Sequence, residues 1–192
     1  MNEKFITNSV STKRMTAYQL CSVSLITAIL CIVGPISIPI GNIPVSFSNL
    51  VLLFAAYVLG AKYGTISCVL YLLLGLAGLP VFSGYAGGFA KLAGPTGGYL
   101  IGFIFLTYIS GLFIERSSSN IFWSIIGMAL GMVVLYVFGT FWYMYIMNCS
   151  FMPALAACVV PFAFIDPIKI VFAAITGREI RKRLIQAHLI QL

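Results

Sequence analysis

Asp166 and Lys169 are an acid and a base three residues apart, in the stretch Pro161-Phe-Ala-Phe-Ile-Asp166-Pro-Ile-Lys169-Ile-Val-Phe-Ala-Ala. The rest of that stretch is apolar. An ionisable side chain at membrane depth costs roughly 2.5–3.5 kcal/mol on insertion scales, so its presence there points to a role. Two opposite charges one helical turn apart can face the same way. They can hold a polar ligand, relay a proton, or pair with each other. A plainer reading is that Asp166 caps a helix, with Pro167 at its first position and Lys169 as an ion-pair partner.

The elements that must position this pair are membrane helices. The chain has 192 residues, 61% of them hydrophobic and 8% charged, with a mean hydropathy of +1.07. Such a composition lies outside that of soluble domains. The predicted fold is an all-α integral membrane protein with six transmembrane helices, at about 16–34, 46–60, 64–79, 97–114, 120–147 and 152–176. Most approach the ~20 residues that cross the hydrocarbon core. The second and third are short, and Gly60-Ala-Lys62-Tyr-Gly64 joins them as a tight hairpin. Pro161 and Pro167 each remove a backbone donor, so a kink is expected near the charged pair.

One membrane domain fills residues 1–192: a cytoplasmic N-terminal segment (1–15), a six-helix bundle (16–178) and a basic tail (179–192). With six spans, Lys4, Lys13, Arg14, Lys62, Arg116, Arg178, Arg181, Lys182 and Arg183 fall on one side, and Lys91 on the other. The positive-inside rule then puts both termini in the cytoplasm. Membrane orientation and anionic lipid account for the net charge of +7. Basic residues split among loops give no nucleic-acid surface. Residues 3–15 read as a short interfacial helix, and the start of the chain lacks the pattern of a signal peptide. Cys21, Cys31, Cys68, Cys149 and Cys158 contain no Cys-x-x-Cys and read as small buried hydrophobes.

Half of the 18 glycines lie in residues 75–102. Neither G-x-G-x-x-G nor a phosphate-binding G-x-x-x-x-G-K-[ST] fits them. Two readings stay open. The segment folds over a small molecule as a lid, or it is a connector whose Gly98-x-x-x-Gly102 starts a packed helix. The other outer loop, Gly34-Pro-Ile-Ser-Ile-Pro-Ile-Gly41-Asn-Ile-Pro44-Val-Ser-Phe-Ser48-Asn49, has three prolines and a Gly-Asn turn, which favour extended backbone. Tyr136-Val-Phe-Gly139-Thr-Phe-Trp142 is either an interfacial aromatic belt or an apolar wall for a ring-shaped ligand.

Six blocks occur in order: Ile38-Pro-Ile-Gly41-Asn-Ile-Pro44, Leu59-Gly-Ala-Lys62-Tyr-Gly64, Gly78-Leu-Pro-Val-Phe-Ser-Gly84, Leu92-Ala-Gly-Pro-Thr-Gly-Gly-Tyr-Leu-Ile-Gly102, Tyr136-x-x-Gly139-x-x-Trp142 and Pro161-Phe-x-x-x-Asp166-x-x-Lys169. Over residues 20–177 this pattern resembles the BioY family, the biotin-specific S components of energy-coupling-factor (ECF) vitamin transporters. It departs from the family at Ser48, where Gln is frequent, and at bulky Tyr85. The resemblance implies a six-helix fold in the cell membrane that binds biotin near the outer face, with no cofactor. It also implies partners: a transmembrane coupling protein and two ATPase subunits. The coupling protein would dock on the small residues Ala17-x-x-x-Cys21 and Ser24-x-x-x-Ala28. The candidate substrate-binding residues are Asp166, Lys169, Phe82, Gly84, Tyr85, Gly87, Gly88, Gly94, Thr96, Gly97, Gly98, Tyr136 and Trp142.

The chemistry of the residues agrees with such a ligand. Asp166 can accept from the ureido N–H groups, Lys169 can pair with an acceptor or carboxylate, and aromatic rings can cover the fused-ring body. Three alternatives are a self-sufficient secondary transporter for a small organic acid, an S component for another vitamin, and a membrane enzyme. The first normally carries an internal repeat or paired broken helices. The last needs a nucleophile or paired acids at depth, where Asp166 stands as the lone carboxylate.

Overall fold

Thr16 starts the first helix with a capping box. Its Oγ1 accepts from the Gln19 N–H, and Gln19 Oε1 accepts from the Thr16 N–H. Two donors that a helix start leaves open are thereby satisfied. The computed structural model describes residues 15–39, 43–116 and 120–187. Their elements are α1 (Ala17–Val33), β1 (Ser37–Ile38), β2 (Val45–Ser46), α2 (Ser48–Leu76), α3 (Phe89–Ala93), α4 (Gly97–Arg116), α5 (Ile121–Met147), α6 (Phe151–Cys158), α7 (Val160–Ala163) and α8 (Asp166–Gln186). The segment before Met15, the Gly41-Asn42 turn and the end of the tail with His188 lie outside the described residues.

The proline-containing loop between α1 and α2 is extended on both sides of Gly41-Asn42. β1 pairs antiparallel with β2, Ser37 opposite Ser46 and Ile38 opposite Val45. The otherwise helical fold thus includes a small ribbon, which the all-α reading did not contain. It leads directly into α2 and sets where that helix begins.

α2 covers both short apolar stretches but breaks at Gly60, where φ is 73° and ψ is −171°. Only glycine takes that conformation readily. Past the break the chain turns back: a Cβ on Gly64 would lie 3.2 Å from the Ala55 carbonyl oxygen. A straight helix would hold those residues roughly 13 Å apart. Glu115 at the end of α4 accepts from the Ala61 N–H at 2.9 Å. That carboxylate caps the start of the second arm, where the helix dipole favours negative charge.

α4 and α5 pack closely because glycines leave room. A Cβ on Gly98 would collide with Trp142 and the Phe138 carbonyl, and one on Gly102 would lie 2.7 Å from Leu135 Cδ1. The last apolar stretch is cut into three pieces, with interruptions at Val159 and at Phe164–Ile165. Pro161 and Pro167 sit in the first turns of α7 and α8. The expected kink is therefore two breaks, and the second one starts α8 at Asp166.

Leu52, Leu53, Leu106, Met128 and Leu135 fill the interior, whereas Leu20, Leu25, Ile32, Phe141, Phe164 and Ile168 are exposed. So much outward apolar surface suits lipid rather than water. Four segments are long and apolar enough to cross a membrane: Ser48–Leu76, Gly97–Arg116, Ile121–Met147 and Phe151–Gln186; α1 is apolar but shorter. The chain is a helical membrane protein.

Candidate functional site

α8 begins where Pro167 prevents earlier helix from continuing. Ile165 occupies the cap position without a side-chain capping bond, and Asp166 is the first helical residue. The expectation that Asp166 serves as the cap is not met, because other elements engage its carboxylate. Oδ2 accepts from the Tyr136 hydroxyl at 2.6 Å, and Oδ1 accepts from Asn49 Nδ2 at 3.0 Å. Lys169 Nζ, one turn along, lies 3.1 Å from Oδ1. The same ammonium donates to Asn49 Oδ1 and to the Ser46 carbonyl, both at 3.0 Å. It lies 5.7 Å from the centre of the Phe47 ring.

Asp166 is 1% exposed and Lys169 is 6% exposed. Two charges buried that deeply persist only when paired and hydrogen-bonded. Here α8 supplies the ion pair, α5 supplies Tyr136, and the β2–α2 junction supplies Ser46 and Asn49. The position of Asp166 at a helix start adds the favourable end of the dipole.

Beside this cluster lies a cavity with about 540 Å³ of empty space, counted out to its mouth. Its polar lining is Ser46, Ser48, Asn49, Ser83, Thr96 and Asp166. Tyr71, Tyr99, Phe103, Tyr136 and Phe162 form an aromatic wall, with Ile43, Pro44, Leu100 and Leu135 completing it. The Phe162 ring centre lies 5.8 Å from that of Tyr99 and 6.4 Å from that of Tyr136. Tyr99 donates its hydroxyl to the Cys158 carbonyl, and Tyr71 donates to the Val81 carbonyl. Both tyrosines thus meet their polar needs elsewhere and offer the cavity ring surface.

Of the residues singled out in the sequence, Asp166, Tyr136 and Thr96 line this cavity. Lys169 stands behind Asp166 and holds it rather than facing the space. Trp142 is not in the wall. It is six residues beyond Tyr136, about 240° around the helix, and it donates from Nε1 to the Gly94 carbonyl at 2.9 Å. Phe82 is buried edge-on against Tyr71, with ring centres 5.5 Å apart. Gly84, Tyr85, Gly87, Gly88, Gly94, Gly97 and Gly98 do not line the cavity either. Gly84, Tyr85 and Gly88 have positive φ and form turns, and Tyr85 is exposed. Gly87 packs on the Leu79 carbonyl, while Gly97 and Gly98 pack on Trp142.

Within residues 75–102, the cavity lining is Ser83 and Thr96, with Tyr99 and Leu100 at the start of α4. The glycine-rich segment is tied down by bonds from the Gly84 N–H to the Pro35 carbonyl and from the Gly88 N–H to the Gly75 carbonyl. Asn49, Ser46, Ser48, Ser83, Tyr71, Tyr99, Phe103 and Phe162 were missed in the sequence. No single spacing announces the aromatic wall, because its members come from four separate helices.

The family model described as the BioY family matches residues 7–186 of the chain. The biotin transporter BioY of Thermotoga maritima is 38% identical over 164 residues, covering 85% of this chain and 96% of that protein. The probable biotin transporter BioY of Pyrococcus horikoshii is 34% identical over 167 residues, covering 87% and 98%. Among solved structures, the S-component for biotin from an ECF-type ABC transporter matches with a TM-score of 0.81 at 33% identity, covering 88% of this chain and 95% of that one. On sequence, length and fold together, the chain belongs to the BioY family.

Proposed function

We propose that this chain binds biotin in the Asp166 cavity and is the substrate-binding S component of an ECF-type transporter for biotin uptake, without catalytic chemistry of its own. The observation that carries the reading is one buried, charge-compensated carboxylate in the wall of a cavity otherwise lined by aromatic rings, aliphatic side chains and uncharged polar groups, in a chain of this family. Biotin offers a ureido group with two donors and one acceptor, an apolar bicyclic body and an acidic tail. Asp166 and Asn49 supply the acceptor and donor chemistry for the ureido group. Tyr99, Tyr136 and Phe162 cover the ring body. Ser83 and Thr96 provide polar contacts for the tail.

The topology we infer has six spans, with α2 counted as two arms about Gly60 and α6–α8 as one broken span. Both termini are then cytoplasmic in the cell membrane, by the positive-inside rule. The partners are a transmembrane coupling protein and two ATPases. The exposure of Ala17, Cys21, Ser24 and Ala28 along one face of α1 supports docking of the coupling protein there, since small residues permit close helix approach. Native mass spectrometry of the purified chain tests the ligand directly: an adduct of biotin's mass, displaced by labelled biotin, is expected. A preparation that neither carries nor takes up biotin would sink the reading.

A further inference from the structure

We propose that a second cavity, at the other end of the helices from Asp166, binds the phosphate of an anionic phospholipid. Tyr57, Ile114, Asn120, Ile121, Ser124, Arg178, Arg181, Lys182, Ile185 and Gln186 line an open cavity of about 840 Å³, solvent space included. Arg178 is twelve residues from Asp166 along α8, roughly 18 Å at the helical rise. The two cavities are therefore separate.

Three basic side chains converge here from little more than one turn of α8. The carboxylate facing them is Glu115, near Arg181, and it is already engaged by the Ala61 N–H. Glu179 is exposed and lies outside the lining. Among the described residues the lining carries three basic side chains and no acidic one. Arg181 Nη1 donates to the Tyr57 carbonyl at 3.4 Å, which holds the guanidinium at the site. Among the described residues the buried Tyr57 hydroxyl has no partner in hydrogen-bonding geometry, with the Ser124 side chain its polar neighbour. A buried donor without an acceptor is costly, and a phosphate oxygen supplies one.

A lipid fits better than a free phosphate because the walls are mixed. Ile114, Ile121 and Ile185 give an aliphatic lining next to the cations. The outer face of α8 continues away from the cavity with Phe172, Ile175 and Ile180 exposed, a track for acyl chain. Phe122 and Trp123 are exposed at the start of α5, and Trp is characteristic of headgroup depth. Basic pockets between membrane helices hold anionic headgroups by this combination of charge and depth.

The experiment is native mass spectrometry of the full chain released from nanodiscs containing equal phosphatidylglycerol and phosphatidylcholine. One retained phosphatidylglycerol is expected, and Arg181→Gln or Lys182→Gln should each lower its retention about fivefold. Lys182 is exposed, so its variant keeps the test valid if Arg181→Gln unfolds. Exposed Arg116→Gln should retain lipid like the parent. Equal retention of the two lipids, or undiminished phosphatidylglycerol in the Lys182 variant, would overturn the proposal. Displacement by millimolar glycerol phosphate would also overturn it, since the ligand would then be a soluble phosphate ester.

Discussion

At the scale of single residues, Asp166 does two jobs at once. It lines the cavity and is held by Tyr136, Asn49 and Lys169. Asp166→Asn should weaken biotin binding by about 2–5 kcal/mol, or roughly 30- to several-thousandfold in affinity. Lys169→Met removes the cation behind a buried carboxylate and should lower both stability and affinity, the former by about 3–5 kcal/mol. Calorimetry and thermal unfolding on both variants separate the effects, and unchanged affinity in the two would reduce the pair to a structural clamp. Tyr136→Phe takes one donor from the carboxylate and should cost about 1.5–3 kcal/mol. The charged pair was legible in the sequence because charges in an apolar run have few reasons to exist. Asn49 was not singled out: a lone amide beside a loop looks solvated until the fold seats it between an acid and a base.

At the scale of elements, the glycine-rich run was legible as special but not in its task. The connector reading holds where Gly98 and Gly102 pack α4 on α5; closure over a ligand is a proposal, which amide exchange tests. Gly98→Ala meets Trp142 and the Phe138 carbonyl, and should destabilise the α4–α5 contact by about 1–3 kcal/mol, read as a lower unfolding temperature. Gly88→Ala meets no neighbouring atom and should fail instead through its positive φ, costing roughly 1–3 kcal/mol. Residues 80–95 should exchange amide hydrogens faster without biotin than with it. Equal protection in both states would contradict closure over the ligand. The hairpin turn was visible as Gly60 and Gly64 around a lysine, and Pro161 and Pro167 announced the broken last span. The β1–β2 ribbon was seen only as extended backbone, since two-residue strands carry no periodic signal.

At the scale of the molecule, the reading is of a protein that binds without pumping. The Asp166 carboxylate is engaged by the Lys169 ammonium and by two hydrogen bonds, from Tyr136 and Asn49, and a carboxylate committed to three fixed partners is poorly placed to carry a proton. Purified protein in vesicles should bind biotin without accumulating it, and accumulation should appear when the coupling protein and ATPases are added with internal ATP. Concentrative uptake by the chain alone, abolished by a protonophore, would replace this reading with a secondary transporter.

The mutual neutrality of Asp166 and Lys169 also governs how fast a ligand arrives. An ion pair 3.1 Å apart projects almost no field beyond the cavity. In the segment around the mouth the charged residue is Lys91, half-buried and with its ammonium pKa lowered by that burial. Long-range steering can then contribute little to encounter. The association rate constant should change by less than about threefold between roughly 0.01 M and 1 M salt, while the Debye length falls from about 30 to 3 Å. Stopped-flow quenching of the cavity aromatics measures it. A steep fall with salt would mean that the outer face draws the biotin carboxylate in by charge, and a flat response would leave diffusion and loop opening as what limits capture.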